Sequence, residues 1–234
     1  MNNYHYPPFQ PGTIYHVYNH ANGFDDLFLR PHHFTKFLNK MKRRLEPVME
    51  ILAYCLLDNH FHFVIRCRPE GVVFDLAAKT RSVKGVPFVF PELLAPADRY
   101  HYFVNRQLTN FLIGYSKMFN STANRRGSLF LKGTPRKVVS EHDYLLSVLR
   151  YVHLNAIKHG IVQHPDQWIH TSFHAFAGLD CTLDIPVTEI WDWYGGQANF
   201  ERMHRDRRRV FVVDLEPVGL HIPPDAIIVP AASF

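Results

Sequence analysis

The chain has 234 residues, enough for one large domain or one domain with a tail. Hydrophobic residues make up 47% of it, and its three cysteines, Cys55, Cys67 and Cys181, lack metal-like pairing, which favours reduced thiols over a disulfide scaffold. The first residues do not resemble a signal peptide, and no apolar run reaches the ~18 residues of a membrane span, so we expect a soluble intracellular protein.

Positive charge is mildly in excess and is clustered along the chain. Lys and Arg number 26 against 21 Asp and Glu, a net charge of +5. The basic runs are Lys40–Glu46, Asn124–Gly127, Leu131–Lys137 and Glu201–Arg209. One such run is usually a solvated helix face or turn, but four of them favour a phosphate-binding surface.

The first half of the chain predicts a strand, a helix and a hairpin. Residues 13–19 alternate and are rich in β-formers, which indicates a strand. Residues 30–46 have apolar side chains at helical spacing, and Pro47 ends that helix. Residues 48–57 and 60–67 then read as two strands separated by two turn-forming residues, which predicts a tight hairpin.

The second half predicts mainly helices. Residues 69–98 are rich in Pro and Gly and predict an insertion or loop with room for a short helix. A long helix follows from Arg99 to about Asn124, then a short strand at 137–139 and a helix over 140–159 that stops at Gly160.

This order of elements predicts an α+β fold, a ferredoxin-like split β-α-β antiparallel sheet with helices packed on it. We assign residues 1–178 to the main domain, with 69–98 as the insertion. Residues 179–234 are predicted to form an accessory C-terminal helix and a Pro-rich tail.

Two histidines, His60 and His62, flank Phe61 at the start of the second hairpin strand. With 16 histidines in 234 residues, chance supplies roughly one His-x-His triplet. Alternate side chains of a strand share a face, so both imidazoles lie on the face opposite Phe61 and Phe63. Two such imidazoles can bind one divalent ion; two unrelated histidines on a half-exposed strand are the alternative.

Two tyrosines on predicted helices are followed by asparagines. Tyr151 and Asn155 are one helical turn apart on the same face, with Lys158 beside Tyr151, although a lone tyrosine at such a place usually caps the core edge. Tyr115 has Asn120 five residues on, which is a poorer same-face spacing. Tyr115 also lies in an apolar run, so core packing suits it better.

Five segments together carry a resemblance to a known family: "YHVYNHANGFDDLF", "AYCLLDNHFHFVIR", "RRGSLFLKGTPRKVV", "DYLLSVLRYVHLNAIKHGIV" and "WIHTSF". In order and spacing the chain resembles the REP-associated tyrosine transposases over about residues 13–176. These are relatives of the single-tyrosine insertion-sequence transposases and belong to the HUH group of single-strand DNA nucleases.

The resemblance implies a function and a site. It implies metal-dependent cleavage and strand transfer of single-stranded DNA at hairpin, REP-like sequences through a covalent 5′-phosphotyrosine. Tyr151 would be the nucleophile, and His60, His62 and Asn155 would hold Mg²⁺ or Mn²⁺, although geometry alone does not exclude Zn²⁺. The partner would be single-stranded or hairpin DNA, the protein a monomer or homodimer, and its location cytoplasmic and nucleoid-associated.

The DNA contacts are predicted from the basic segments and from Lys158. The predicted DNA-binding residues are Arg125, Arg126, Lys132, Arg136 and Lys158. The chain departs from the family pattern at three places: Asp58 and Ala156 replace prolines, and Lys132-Gly133-Thr134 replaces Gln-x-Arg. The loss of Gln and Arg affects local DNA contacts, although Lys132 and Arg136 keep the charge, and Ala156 should matter little inside a helix. The role of Asp58, including approach to the metal, stays open.

Two other functions remain open at this stage. The altered flanking residues fit a non-catalytic DNA-binding protein that retains the fold. A metallohydrolase with a His-x-His pair is more remote, because it normally needs further ligands at strand ends and the order of elements does not suit a (β/α)₈ barrel. Whether the basic segment Arg202–Arg209 binds DNA or is merely solvated is also open.

Overall fold

The computed structural model of the chain describes residues 6–82 and 84–206. The predicted Pro-rich tail and the last part of the basic segment Arg202–Arg209 lie outside the described residues.

Four antiparallel strands form one sheet. They are β1 (Ile14–His20), β2 (Met49–Leu57), β3 (His60–Cys67) and β4 (Arg136–Val138), in the order β2-β3-β1-β4. Because β1 and β2 are both antiparallel to β3, they run parallel to each other on either side of it. This arrangement confirms the predicted α+β fold with a split β-α-β sheet.

Helices cover both faces of the sheet. Their bounds are α1 (Pro31–Arg44), α2 (Glu70–Lys79), α3 (Arg99–Thr122), α4 (His142–His153), α5 (Asn155–Lys158), α6 (Val187–Trp193) and α7 (Gln197–Arg205). The predicted insertion at 69–98 contains α2, which packs against α3.

One face of the sheet packs against α1 and α3. Phe37 of α1 is fully buried, and its ring lies 5.5 Å from that of Phe61 and 4.8 Å from those of Phe111 and Tyr115. Burying one such phenylalanine is worth about 1.5–3 kcal/mol. This aromatic core packs one face of β3 against α1 and α3, and the other face of β3 packs against α4.

The opposite face packs against α4 and the C-terminal helices. Val64 of β3, Leu149 and Val152 of α4, Ile190 of α6 and Phe200 of α7 are all buried in this second core. The described part of the predicted accessory region is therefore packed on the main domain.

The helix predicted over 140–159 is interrupted. Helix α4 ends at His153, Leu154 has φ −94° and ψ 7°, and α5 begins at Asn155. Tyr151 and Asn155 thus lie on two helices joined by one residue, and the expectation of one continuous helix was wrong. The segment contains neither Gly nor Pro, so the local sequence does not predict the interruption of the helix.

Candidate active site

The hairpin places the two histidines on one face of β3. His60 and His62 are both buried, with exposed fractions of 5% and 2%. Phe61 and Phe63, which alternate with them, belong to the aromatic core on the other face. The ring centroids of His60 and His62 are 5.2 Å apart, so the two imidazoles adjoin each other.

His60 lies between two amide oxygens. Its Nδ1 is 2.7 Å from Oδ1 of Asn59, and its Nε2 is 3.2 Å from Oδ1 of Asn155. Burial, followed by the charges of His159 and His20, lowers the pKa of His60 to about 3, so the ring is neutral at pH 7 and carries one N–H. Both oxygens are acceptors, so one ring cannot donate to both.

A consistent assignment gives the single proton to the shorter contact. Nδ1 of His60 then donates to Asn59, and the Nε2 lone pair faces the Asn155 oxygen. Nδ2 of Asn155 is buried with no hydrogen-bond partner. Two lone pairs converging at 3.2 Å are satisfied by a cation between them, or by turning the amide over so that Nδ2 donates to His60.

The donor set fits a divalent cation. It comprises imidazole nitrogen and amide oxygen, ligands compatible with Mn²⁺ and with Mg²⁺ that keeps several waters. Among the described residues, no group of three or more His, Cys, Asp and Glu side chains is placed to hold a metal ion. Asn155, which is fully buried, places its Oδ1 3.2 Å from Nε2 of His60 and so adds an oxygen ligand atom beside the ring nitrogen that is left without a proton.

His62 contacts a histidine from the neighbouring strand and the predicted nucleophile. Its Nδ1 is 3.0 Å from Nε2 of His16 on β1, and the two rings stack at 5.1 Å. The ring of Tyr151 meets His62 edge-on, with centroids 5.3 Å apart. Burial lowers the pKa of His62 well below its ordinary value, so this imidazole is also neutral at pH 7.

Tyr151 lies at the end of α4, with only 6% of its surface exposed. Nζ of Lys158 on α5 lies 5.0 Å from the centre of its ring, a cation–π contact. The interruption of the helix at Leu154 thus leaves both predicted residues beside the histidine pair: Tyr151 packs against His62, and Asn155 faces His60.

The rival tyrosine belongs to the other side of the sheet. Tyr115 is fully buried among the aromatic residues of α1 and α3, and its hydroxyl donates to the carbonyl oxygen of Leu27 at 2.6 Å. Its role is packing, as its apolar surroundings in the sequence suggested.

Two of the predicted DNA-binding arginines have partners inside the protein. Nε of Arg136, which is 7% exposed, donates to the carbonyl oxygen of Pro7, and its guanidinium lies 4.1 Å from the ring centre of Phe9. Arg125 forms an ion pair with Asp25. Neither guanidinium is therefore included in the proposed DNA-binding surface.

Two other predicted cations are exposed near one groove. Arg126 and Lys132 are both exposed, and Lys132 lines a groove of about 430 Å³ between α3 and the loop before β4. The groove also contains Lys117 and Asn120 of α3. Its cationic rim and amide group can accept phosphate and base edges.

Three histidines near the site were missed by the sequence interpretation. His16 and His20 lie on the β1 face that adjoins His62 and His60, and His20 is the cross-strand partner of His60. His159, beyond α5, has its ring 4.7 Å from that of His60. Alternation within β1 puts His16 and His20 on one face, but the pairing of β1 with β3 is long-range and has no local signal.

Asp58 occupies the exposed hairpin turn. Its carbonyl oxygen accepts from the backbone N–H groups of Leu27 and Phe28, at 2.6 and 3.1 Å. Partial burial and the charge of Asp26 raise the pKa of its carboxyl group. These contacts give Asp58 a role in fixing the loop after β1; its approach to a metal stays a prediction.

Comparisons with solved structures include a similarity of fold. A solved structure of a REP-associated tyrosine transposase bound to a REP hairpin is 15% identical, with a TM-score of 0.47, over 80% of this chain and 96% of that chain. No family model and no curated protein matches. Within the described residues no helix is long and apolar enough to cross a bilayer.

Proposed function

We propose that the protein is a metal-dependent DNA strand transferase that cleaves single-stranded DNA next to hairpins through a covalent phosphotyrosine. The observation that carries the proposal is the convergence of His60 Nε2 and Asn155 Oδ1, with Tyr151 packed on the adjoining His62. The order and spacing of the family-like segments support the choice of DNA as substrate.

Each residue of the site has a defined task in this proposal. His60, His62 and Asn155 would hold Mg²⁺ or Mn²⁺, which when bound polarises the scissile phosphate and offsets its negative charge. Tyr151 supplies the nucleophilic oxygen. Lys158, whose ammonium lies over the Tyr151 ring, is placed to attract the phosphate.

The covalent step exchanges one phosphodiester for another. The Tyr151 oxygen attacks phosphorus and loses its proton, the bond from phosphorus to the 3′ oxygen breaks, and that oxygen leaves as a 3′ hydroxyl. The DNA 5′ phosphate remains on the tyrosine. Because a phosphodiester is conserved, a second 3′ hydroxyl can reverse the step and join a new strand without ATP.

The exposed cations Arg126 and Lys132, together with Lys117 in the groove, are proposed to bind the DNA backbone. Arg136 and Arg125 are left out because their guanidinium groups already have partners in the protein.

The proposal is tested with Tyr151→Phe. We expect this variant to bind a hairpin with single-stranded flanks as the wild type does and to form no covalent adduct in Mn²⁺, as seen by denaturing gel electrophoresis. Tyr144→Phe, on the same helix, is the matched control and should retain adduct formation. An adduct in Tyr151→Phe would contradict the nucleophile assignment.

The same assay distinguishes the alternative function. A non-catalytic DNA-binding protein would bind the hairpin with equal affinity in Mn²⁺ and in chelator, and the wild type would form no adduct in either. Adduct formation that requires Mn²⁺ would support the strand transferase.

A further inference from the structure

We propose that His16 is a positioning residue that accepts the Nδ1 proton of His62, so that His62 presents its Nε2 lone pair to the metal. The inference rests on the proposed metal-dependent function of the site. It concerns a residue of β1 that neither the sequence pattern nor the family resemblance assigned.

The two imidazoles are held in a fixed relation. His16 is fully buried, its Nε2 lies 3.0 Å from Nδ1 of His62, and the rings stack at 17°. The ring of Tyr151 packs edge-on against both imidazoles, with centroids 5.9 Å from His16 and 5.3 Å from His62. The orientation of His62 is therefore set by packing on two sides.

One proton between the facing nitrogens decides what His62 can do. Both rings are buried, with exposed fractions of 0% and 2%, which favours the neutral form with a single ring proton each. If His16 donated, His62 would carry its proton on Nε2 and that nitrogen could not bind a metal. If His62 donates through Nδ1, its Nε2 lone pair is available.

His60 shows the same arrangement independently. Its Nδ1 is 2.7 Å from the acceptor oxygen of Asn59, which leaves Nε2 as the nitrogen that faces Asn155. Metal-binding histidines generally donate their other ring N–H to such a partner, which fixes tautomer and orientation. His16 would be to His62 what Asn59 is to His60.

Nδ1 of His16 has no hydrogen-bond partner, whichever ring carries the proton between His16 and His62. When His62 donates, the proton of His16 is on Nδ1, and that buried atom has no hydrogen-bond partner. A buried polar group without a partner is rare in folded proteins and calls for an explanation. Because the atom lacks a partner in either tautomer, the preference for a donating His62 rests on the parallel with His60, and the unpaired N–H of His16 is a cost of that arrangement.

The first test is ¹⁵N NMR of the metal-free protein with labelled histidine. Ring nitrogen shifts report which nitrogen carries the proton, and the His62 signals are identified by their absence in His62→Gln. We expect His62 protonated on Nδ1. A proton on Nε2 in the wild type would overturn the inference, and this readout needs no variant of His16.

The second test is calorimetric titration with Mn²⁺. His16→Leu removes the acceptor and should weaken binding by about tenfold or more, the effect usual for loss of such a partner. His16→Gln places an amide oxygen near the position of Nε2 and should restore most of the affinity. Folded His16→Leu protein that binds Mn²⁺ as tightly as the wild type would overturn the inference.

The two proposals fail separately. A wild type with His62 protonated on Nδ1, with Mn²⁺ binding that depends on His16 but no DNA adduct, would support the positioning role and contradict the strand-transferase function. Adduct formation together with a His62 proton on Nε2 would do the reverse.

Discussion

The side-chain amide of Asn155 is the group whose hydrogen-bond partners bear most directly on metal binding. Its amide is fully buried, with one end facing Nε2 of His60 and the other without a partner. Without a cation, turning the amide over would let it donate to His60; with a cation, the oxygen is the end that faces inward. The amide can therefore serve both states without a buried charge.

Substitution of Asn155 is expected to change metal affinity in opposite directions. Asn155→Ala should weaken Mn²⁺ binding by at least about tenfold, and Asn155→Asp should preserve or tighten it, because carboxylates are preferred ligands of hard cations. Isothermal titration calorimetry measures both. Asn120→Ala, on α3, is the control, and equal affinity of Asn155→Ala and the wild type would remove Asn155 from the ligand set.

Part of the arrangement of these side chains could be predicted from the sequence. Alternation along β3 after a two-residue turn places His60 and His62 on one face, and the i, i+4 spacing of Tyr151 and Asn155 places those two on one side of a helix. That the two pairs face each other was implied by the family resemblance alone. His16 could not be found in this way, because its contact with His62 depends on which strands become neighbours in the sheet.

Among the elements, α4 connects the site to the C-terminal helices through a chain of hydrogen bonds. Nδ1 of His204 on α7 donates to the Phe200 carbonyl oxygen at 2.8 Å, and its Nε2 accepts from Nδ1 of His153 at 3.0 Å. Nε2 of His153 in turn accepts from the Ser172 hydroxyl at 2.9 Å. One tautomer of each ring satisfies the whole chain.

This chain makes the packing of α7 sensitive to acid. Burial lowers the pKa of His204 to about 3 and that of His153 well below normal. Because unfolded histidines titrate near ~6.5, the unfolded state binds the extra protons as the pH falls below that value. The contribution to stability is complete above pH ~6.5 and is lost as the pH falls toward 3.

His204→Leu is expected to lower stability at pH 8 and to flatten its pH dependence. The N–H of His153 loses its acceptor, at a cost of about 1–3 kcal/mol. Between pH 6 and 4 the free energy of unfolding should then fall less steeply, by up to about 1.4 kcal/mol per pH unit. Urea denaturation measures both effects. His142→Leu, exposed at the start of α4, is the control; an unchanged slope in His204→Leu would contradict the account.

The elements were predictable where local patterns dominate. The hairpin, α1 and α3 follow from alternation, helical spacing and a two-residue turn, and their observed bounds lie within two residues of those expected. The break at Leu154 was not predictable. It occurs without Gly or Pro, where His153 and Asn155 are held by partners on different parts of the chain.

At the scale of the whole molecule, the sheet separates two hydrophobic cores that have different roles. The aromatic core beneath α1 and α3 fixes the backbone of β3, and the face under α4 holds the polar site. The net charge of +5 favours the approach of an anionic partner such as DNA. Only the exposed cations among these charges are accessible to a phosphate. Sequence could locate basic runs, whereas only the fold shows that Arg136 is buried and Lys132 is exposed.

Removal of Lys132 should weaken binding of single-stranded DNA uniformly across sequences. For each lost phosphate contact the slope of log affinity against log salt should decrease by about 0.7 for a single strand. Fluorescence anisotropy at several salt concentrations measures this for Lys132→Ala and Arg126→Ala. Lys42→Ala is the control, because that ammonium is paired with Asp184. Unchanged slopes for both test variants would contradict the proposal that DNA binds at this surface.

The central claim is that Tyr151 becomes joined to the 5′ phosphate of cleaved DNA. The most direct measurement is mass spectrometry of the Mn²⁺-dependent adduct after the DNA is trimmed and the protein is digested with trypsin. Cleavage after Arg150 and Lys158 releases Tyr151 in a peptide with no other tyrosine. The account predicts a nucleotide 5′ phosphate on Tyr151; a nucleotide on any other residue, or cleaved DNA with Tyr151 unmodified, would contradict it.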